Sequence, residues 1–193
     1  MTFTNLTLLL EAVAQEGSGH VICYPPQSTT EPKSYSYRQL LEDAQRASRA
    51  LRYQPEDFRR GRVVLIHVDP HWENIVWFWA VTLAGCIPAM STSLSNNSAA
   101  RIWHLENLAT TFKNPSCLTT AAKLSEFGGQ DAKTPIALES LNMNRAPNAE
   151  LDNVYRGAMP GDIAVLMLTS GSTSHAKAVI LTHQQIFMAL QQV

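Results

Sequence analysis

Arg62-Val63-Val64-Leu65-Ile66-His67-Val68, then Asp69-Pro70, then Ile75-Val76-Trp77-Phe78-Trp79-Ala80-Val81-Thr82-Leu83-Ala84-Gly85, is the stretch on which the fold turns. The first seven residues make an almost unbroken apolar run that does not alternate with polar residues. That is the pattern of a strand covered on both faces in a parallel sheet. Asp69 suits a helix cap, Pro70 the first helical position and Gly85 the C-terminal stop. The helix between them is apolar on all sides, so it packs deeply, and Ile75 to Ala84 is too short to span a bilayer. With a further strand after Gly85, the order is strand, helix, strand: a β-α-β unit, for which the crossover is right-handed.

A second unit follows. Ser98 can cap a helix carrying Ile102, Leu105, Leu108 and Phe112 at helical spacing, and Ser116-Cys117-Leu118-Thr119 reads as a short strand. From about Gly128 to Gly161 the pattern thins to Gly, Pro, Asn and charged residues, with one candidate strand at Pro135-Ile136-Ala137-Leu138; this reads as a surface excursion. On the N-terminal side, Ser36 and Gln39 have capping-box spacing. Tyr37, Leu40, Leu41, Ala44, Ala47, Ser48 and Leu51 follow with helical periodicity, which predicts an amphipathic surface helix. The fold class is therefore α/β: a mostly parallel sheet with flanking helices, built from β-α-β units, with residues 1–193 forming one unit.

Toward the C-terminus, Ile163-Ala164-Val165-Leu166-Met167-Leu168 and Val179-Ile180-Leu181 are apolar runs rich in branched residues. The chain between them is a strand-to-strand turn. Thr169, Ser170, Ser172, Thr173 and Ser174 can donate to phosphate oxygens, Gly171 lets backbone amides approach an anion, and Lys177 supplies positive charge. Charge-assisted hydrogen bonds of roughly 1.5–3 kcal/mol each would together hold a nucleotide's phosphate tail. The loop is not of the Walker type, because no glycine precedes Lys177. From the residues alone, an ordinary serine-rich surface turn remains open.

The order of residues in that loop resembles the phosphate-loop signature of the adenylate-forming superfamily, which includes acyl-CoA synthetases, luciferases, and the adenylation domains of nonribosomal peptide synthetases and carboxylate reductases. The family pattern is T-S-G-[ST]-T-G-x-P-K-G-V followed shortly by T-H. Thr169, Ser170, Gly171, Ser172, Thr173, Lys177, Val179, Thr182 and His183 match it; Ser174, Ala176 and Ala178 depart, standing where the family has glycine, proline and glycine. If Ser174 adopts positive φ, the strain is about 1–2 kcal/mol. Losing the proline costs about 0.4–1 kcal/mol through a freer unbound loop. Tyr35-Ser36-Tyr37-Arg38-Gln39-Leu40 resembles the family's first core motif, and Leu83-Ala84-Gly85-Cys86-Ile87-Pro88 its second.

The resemblance implies ATP as cofactor with Mg²⁺ assisting, and a carboxylic acid as substrate. A carboxylate attacks the α-phosphorus of ATP to give an acyl-adenylate and pyrophosphate, and a thiol then takes the acyl group. Thr169, Ser170, Gly171, Ser172, Thr173 and Lys177 would hold the β- and γ-phosphates, and His183 would lie near the acyl substrate. The acyl pocket, adenine segment, ribose-binding aspartate and mobile C-terminal domain of the family are not found in 1–193. The resemblance therefore implies an incomplete N-terminal adenylation-domain core, inactive alone and with no catalytic residue of its own, from an enzyme of the kind used in secondary metabolism. The apolar residues Ile186, Phe187, Ala189 and Leu190 would then be exposed unless the missing C-terminal chain or a protein partner covers them. Two other readings stay open: a non-catalytic nucleotide-binding or docking remnant that associates with a larger synthetase, and an unrelated serine-rich α/β domain.

Composition sets the outer limits. The chain has 193 residues, 45% of them hydrophobic and 16% charged, enough for one domain with a sizeable core and too few charges for wholesale disorder. A net charge of -1 leaves no basic stripe for a nucleic acid. Cys23, Cys86 and Cys117 are odd in number and lack metal-binding spacing, which points to reduced thiols. With no basic start in Met1 to Leu10, no signal peptide is expected, so the expected location is cytoplasmic, with no membrane partner. His67 and His71 have no carboxylate or cysteine pattern beside them and read as structural rather than as metal ligands. Trp72, Trp77 and Trp79 read as core. Ser170 and Ser172 lack the G-x-S-x-G context of a hydrolase nucleophile, and His183 follows Thr182, which suits a helix cap.

Overall fold

A computed structural model describes residues 3–24, 31–54, 56–69, 71–91, 94–127, 135–144, 154–169 and 177–191, with Thr169 and Lys177 described by their backbone. In chain order the elements are α1 (Leu6–Glu16), β1 (His20–Cys23), β2 (Lys33–Ser36), α2 (Tyr37–Arg52), β3 (Val63–His67), α3 (His71–Leu83), β4 (Ile87–Met90) and α4 (Ser98–Thr111). There follow β5 (Ser116–Thr119), β6 (Ile136–Ala137), β7 (Ile163–Thr169), β8 (Lys177–Thr182) and α5 (His183–Leu190), with short 3-10 turns at Ala121–Phe127 and Leu138–Ser140. Among the described residues no helix is long and apolar enough to cross a membrane.

β3 lies inside a six-stranded sheet of order β6-β5-β3-β4-β7-β8, parallel throughout except for the β7–β8 pair; β1 and β2 form a separate antiparallel pair. The unbroken apolar run of β3 is explained by its two covered faces. Val64 and Ile66 pack in a cluster with Leu40, Ala47 and Leu51 of α2 and Val76, Trp77, Ala80 and Val81 of α3. Leu65 points the other way, into a cluster with Ala89, Leu108 of α4, Cys117, Leu166 and Leu168. Fully burying one such side chain stabilises by roughly 1.5–3 kcal/mol, so these two layers hold the sheet. α3 is apolar all round because α2, the sheet and the segment after Leu141 enclose it; Trp77 is buried, while Trp72 and Trp79 are half-buried. Trp72 stacks on Tyr35 at 3.8 Å between centroids and donates Nε1 to Asp43.

The helix ends follow local rules, with one correction. Ser36 caps α2, its side chain accepting from the Gln39 amide at 3.1 Å. Gly85 turns the chain out of α3 at φ 79, a conformation that costs glycine little. Pro70 lies outside the described residues; Asp69 has its carboxylate paired with Lys123. The cap of α4 is Asn97, not Ser98: its Oδ1 accepts from the Ala100 amide at 3.0 Å, and Ser98 begins the helix proper. Asn caps as well as Ser does, so spacing alone could not choose between neighbours. Leu105 and Leu108 of α4 are buried, whereas Ile102 sits at the surface.

Cys86 and Cys117 are buried, and burial pushes both thiols up to about 12. They stay protonated at neutral pH and act as small core side chains.

Candidate functional site

The β7–β8 hairpin confirms the strand-loop-strand reading. Its antiparallel register runs Leu166↔Ile180, Met167↔Val179, Leu168↔Ala178 and Thr169↔Lys177. Thr169 and Lys177 are therefore cross-strand partners, with Cα atoms within about 5.5 Å of one another, and the chain between them is closed at its root. Ser170, Gly171, Ser172 and Thr173 lie outside the described residues. The root itself is placed by packing: Ala89 and Met90 of β4 pair in parallel with Leu166 and Met167. The loop thus leaves from the carboxyl end of the parallel strands, the end at which open α/β sheets bind ligands.

At the same edge sits a polar cluster that the sequence reading treated as structural. His67, at the end of β3, is 4% exposed. Its Nδ1 lies 3.2 Å from Ser91 Oγ, beyond the end of β4, and its backbone carbonyl accepts from Thr119 Oγ1 at 3.0 Å. Nε2 is 3.5 Å from Glu126 Oε2 without making a hydrogen bond among the described residues, and the Phe127 ring packs edge-on. Burial first, then the Lys123 charge, lowers the His67 pKa, with Glu126 and Asp69 opposing. A neutral ring matches that environment. His71 opens α3 at the surface.

His183 lies at the opposite end of the hairpin. Lys177 and His183 are separated by the length of β8, about 20 Å at the usual rise per residue. Thr182 and Gln185 form a reciprocal capping box that starts α5, as the Thr182 reading required. The buried His183 ring accepts a hydrogen bond from the Leu6 amide at 3.2 Å, so Nδ1 carries the lone pair and Nε2 the proton. Burial lowers its pKa, Asp162 partly opposing. The structure pairs Thr169 with Lys177 at one end of the hairpin and leaves His183 at the other, where it anchors α1.

Around that anchor is a joint the sequence reading missed. Asn5, 1% exposed, caps α1 through the Leu8 amide and donates Nδ2 to the carbonyls of Arg156 and Ala158, each at 3.0 Å. Arg156 makes a bidentate pair with Glu11. Asn before Leu6-Thr7-Leu8 was a readable cap signal; its reach to Arg156 and Ala158 was not. Beside the joint lies a cavity of about 460 Å³. It opens at the amino ends of β4 and β7, on Ile87 and Ile163, and is lined also by Arg60, Tyr155, Asp162 and His183.

The expected apolar exposure is present but shifted. Leu190 and Ala189 are exposed, while Ile186 and Phe187 are half-buried, Phe187 lying 6.5 Å from the Phe3 ring. Met167, Val179, Ile180 and Met188 add to the exposed surface on the sheet edge and α5.

Comparison with known proteins gives one consistent result. The family of AMP-binding enzymes matches residues 10–193. The nonribosomal peptide synthetase atrA of Aspergillus terreus is 49% identical over 191 residues, covering 98% of this chain and 20% of that protein. The nonribosomal peptide synthetase ucdA of Aspergillus ustus is 48% identical over 195 residues, again 98% of this chain and 20% of the relative. Aspulvinone E synthetase melA of Aspergillus terreus is 45% identical over 184 residues, 95% of this chain and 20% of the relative. The chain thus spans about a fifth of the length of these relatives. Among solved structures, the McyG A-PCP complex with phenylalanyl-adenylate superposes with a TM-score of 0.78 at 23% identity, over 97% of this chain and 30% of that one. The fatty acyl-adenylate ligase of L. pneumophila, in complex with acyl adenylate and pyrophosphate, gives 0.73 at 25% identity, over 97% and 32%.

Proposed function

This chain belongs to the family of AMP-binding enzymes, and from that premise we propose that residues 1–193 are the N-terminal portion of an adenylation domain whose hairpin loop grips the phosphates of ATP. The observation that supports this reading is the pairing of Thr169 with Lys177 at the carboxyl edge of the parallel sheet. With its root closed, a loop of this sequence can present a lysine, hydroxyls and the Gly171 backbone together, the donor set that a polyphosphate tail needs.

The family uses ATP. In the reaction proposed for the larger enzyme, a carboxylate oxygen attacks the α-phosphorus, forming the acyl-adenylate as the bond to the β-phosphate oxygen breaks and pyrophosphate leaves. A thiol then takes the acyl group and AMP departs. Ser170, Ser172, Thr173, Thr169 and the Gly171 amide donate to the β- and γ-oxygens, and Lys177 neutralises charge that grows on the leaving pyrophosphate. The loop offers hydroxyls and a cation but no carboxylate, so it suits phosphate directly and Mg²⁺ only through the phosphates. When bound, Mg²⁺ would supply further neutralisation of the leaving group.

The carboxylic acid is selected by parts of the enzyme other than this hairpin. By itself the 193-residue chain is expected to bind ATP without catalysing carboxylate-dependent exchange between pyrophosphate and ATP. The test is calorimetric titration of ATP into the chain and into its Lys177→Ala variant. A loss of roughly tenfold or more in affinity is expected from removing one charge-assisted contact; equal affinities would refute the phosphate-grip reading.

A further inference from the structure

The cavity at the amino ends of β4 and β7 is separate from the phosphate-gripping end of the hairpin, with β7 between them. Its size, about 460 Å³, lies within the usual range for small-molecule pockets. Tyr155 is the most telling part of its lining. The ring is wedged between two glycines: a Cβ at Gly85 would stand 3.0 Å from Tyr155 Cγ, and one at Gly157 3.1 Å from Cε2. The ring is therefore held in place, and Arg60 lies over it, Cζ at 4.2 Å from the centroid. Yet the Tyr155 hydroxyl is buried without a hydrogen-bond partner among the described residues. A hydroxyl closed to water is closed to a ligand oxygen as well, so Tyr155 serves the cavity as a fixed ring face and as the platform for Arg60.

His183 supplies a donor. Its Nδ1 is occupied by the Leu6 amide, which leaves Nε2 as an N–H. Ile87 and Ile163 provide apolar wall. Arg60 contributes one positive charge and Asp162 one negative, with Asp162 Oδ2 already accepting from the Met159 amide at 2.9 Å. A lining with no net formal charge does not suit a multiply charged phosphate, whereas one neutral donor and one guanidinium suit a single carboxylate, and the isoleucines suit an apolar body. The geometry points to a second binding site at this end of the sheet, taking an amphiphilic monocarboxylate with its carboxylate toward His183 and Arg60. This site does not depend on the phosphate reading of the hairpin, and its occupancy is read at the cavity itself.

The test uses hexanoate as probe, with hexan-1-ol as the apolar body without charge and inorganic phosphate as charge without body. Imidazole and tyrosine resonances of the labelled chain are followed during each titration. Saturable shifts at His183 and Tyr155 with hexanoate, and none with phosphate or the alcohol, are expected. Arg60→Gln, at an exposed position, should weaken hexanoate by roughly tenfold. Tyr155→Phe alters only the sealed hydroxyl, so it should leave hexanoate affinity at the parent value and serves as the control for general loosening of the cavity. Absence of saturable shifts, or equal hexanoate affinity in Arg60→Gln and the parent, would overturn the proposal.

Discussion

At one end of the β7–β8 hairpin Thr169 faces Lys177 across a closed loop root; at the other, Thr182 pairs with Ile163 and His183 tucks beneath the start of α1. The first end carries the consecutive hydroxyl-rich residues proposed to grip a ligand from outside the fold. The second is assembled from residues more than 140 positions apart, Asn5 with Arg156 and Ala158, Leu6 with His183, Glu11 with Arg156. Its polar groups satisfy one another. The contrast predicts that changes at the loop end move ligand affinity and spare stability, while changes at the joint do the reverse.

The strongest blow to the joint is Asn5→Ala. It removes a helix cap, worth about 1 kcal/mol, and orphans two carbonyls, each at roughly 1 kcal/mol or more. A loss near 3 kcal/mol is expected in urea unfolding, with ATP affinity unchanged. A loss under about 1 kcal/mol would show that α1 is held by its apolar face alone. Next comes Lys177→Ala, whose fall in ATP affinity should accompany a stability change within about 0.5 kcal/mol. If unfolding shifts by more than that, the lysine has a structural partner and the two ends are not distinct.

A third test uses pH. Burial lowers the pKa of His67 and His183 below the ordinary histidine value near 6.5. Above that value both rings are neutral in the folded and unfolded chain and add no pH dependence. Below it the unfolded chain takes up protons that the folded chain refuses, so stability falls by up to about 1.4 kcal/mol per pH unit for each ring, until the folded pKa is reached. His183→Gln keeps an acceptor for the Leu6 amide and removes that ring's share of the slope. Urea midpoints between about pH 5 and 7.5 should therefore flatten in the variant, and an unchanged slope would mean that His67 and the other histidines carry the whole effect.

The same division explains what could be read in advance. The two-faced burial of β3 was legible because Val63 to Ile66 contains no polar residue, and the hairpin because two branched runs flank a hydroxyl-rich turn. Order within the loop marks Thr169 and Lys177 as candidate phosphate contacts, and the register sets their backbones opposite one another. His183 was harder, since a residue adjacent to a motif in sequence is carried to the far end of the hairpin by the length of one strand. Tyr155 gave no signal at all: it lies in the low-information stretch before β7, and its place is set by Gly85 and Gly157, which leave room for the ring. Local patterns report elements and loops. Contacts between remote segments, such as the Tyr155 amide to the Leu83 carbonyl at 3.0 Å, depend on the assembled sheet.

Helix endings show where even local rules stop, and supply the smallest test. α1 and α3 are followed by Gly17 and Gly85 at φ 72 and 79, so both stops could be read as glycine terminations. α4 ends instead on Lys113 and Asn114 at φ 54 and 56, with no glycine. The turn is held from outside: Asn114 donates its amide to Ala109 O at 2.7 Å, and Arg62 at the start of β3 donates to Asn114 O at 2.7 Å. Asn tolerates this conformation; Lys pays about 1–2 kcal/mol there. Lys113→Gly relieves that strain but loosens the unfolded chain by roughly 0.5–1 kcal/mol, leaving a net gain near 0.5 kcal/mol in thermal or urea unfolding. A measured loss would mean that the Lys113 side chain makes a contact worth more than the backbone strain. The end of α4 would then belong with the Asn5–His183 joint, as a place where tertiary contacts override local preference.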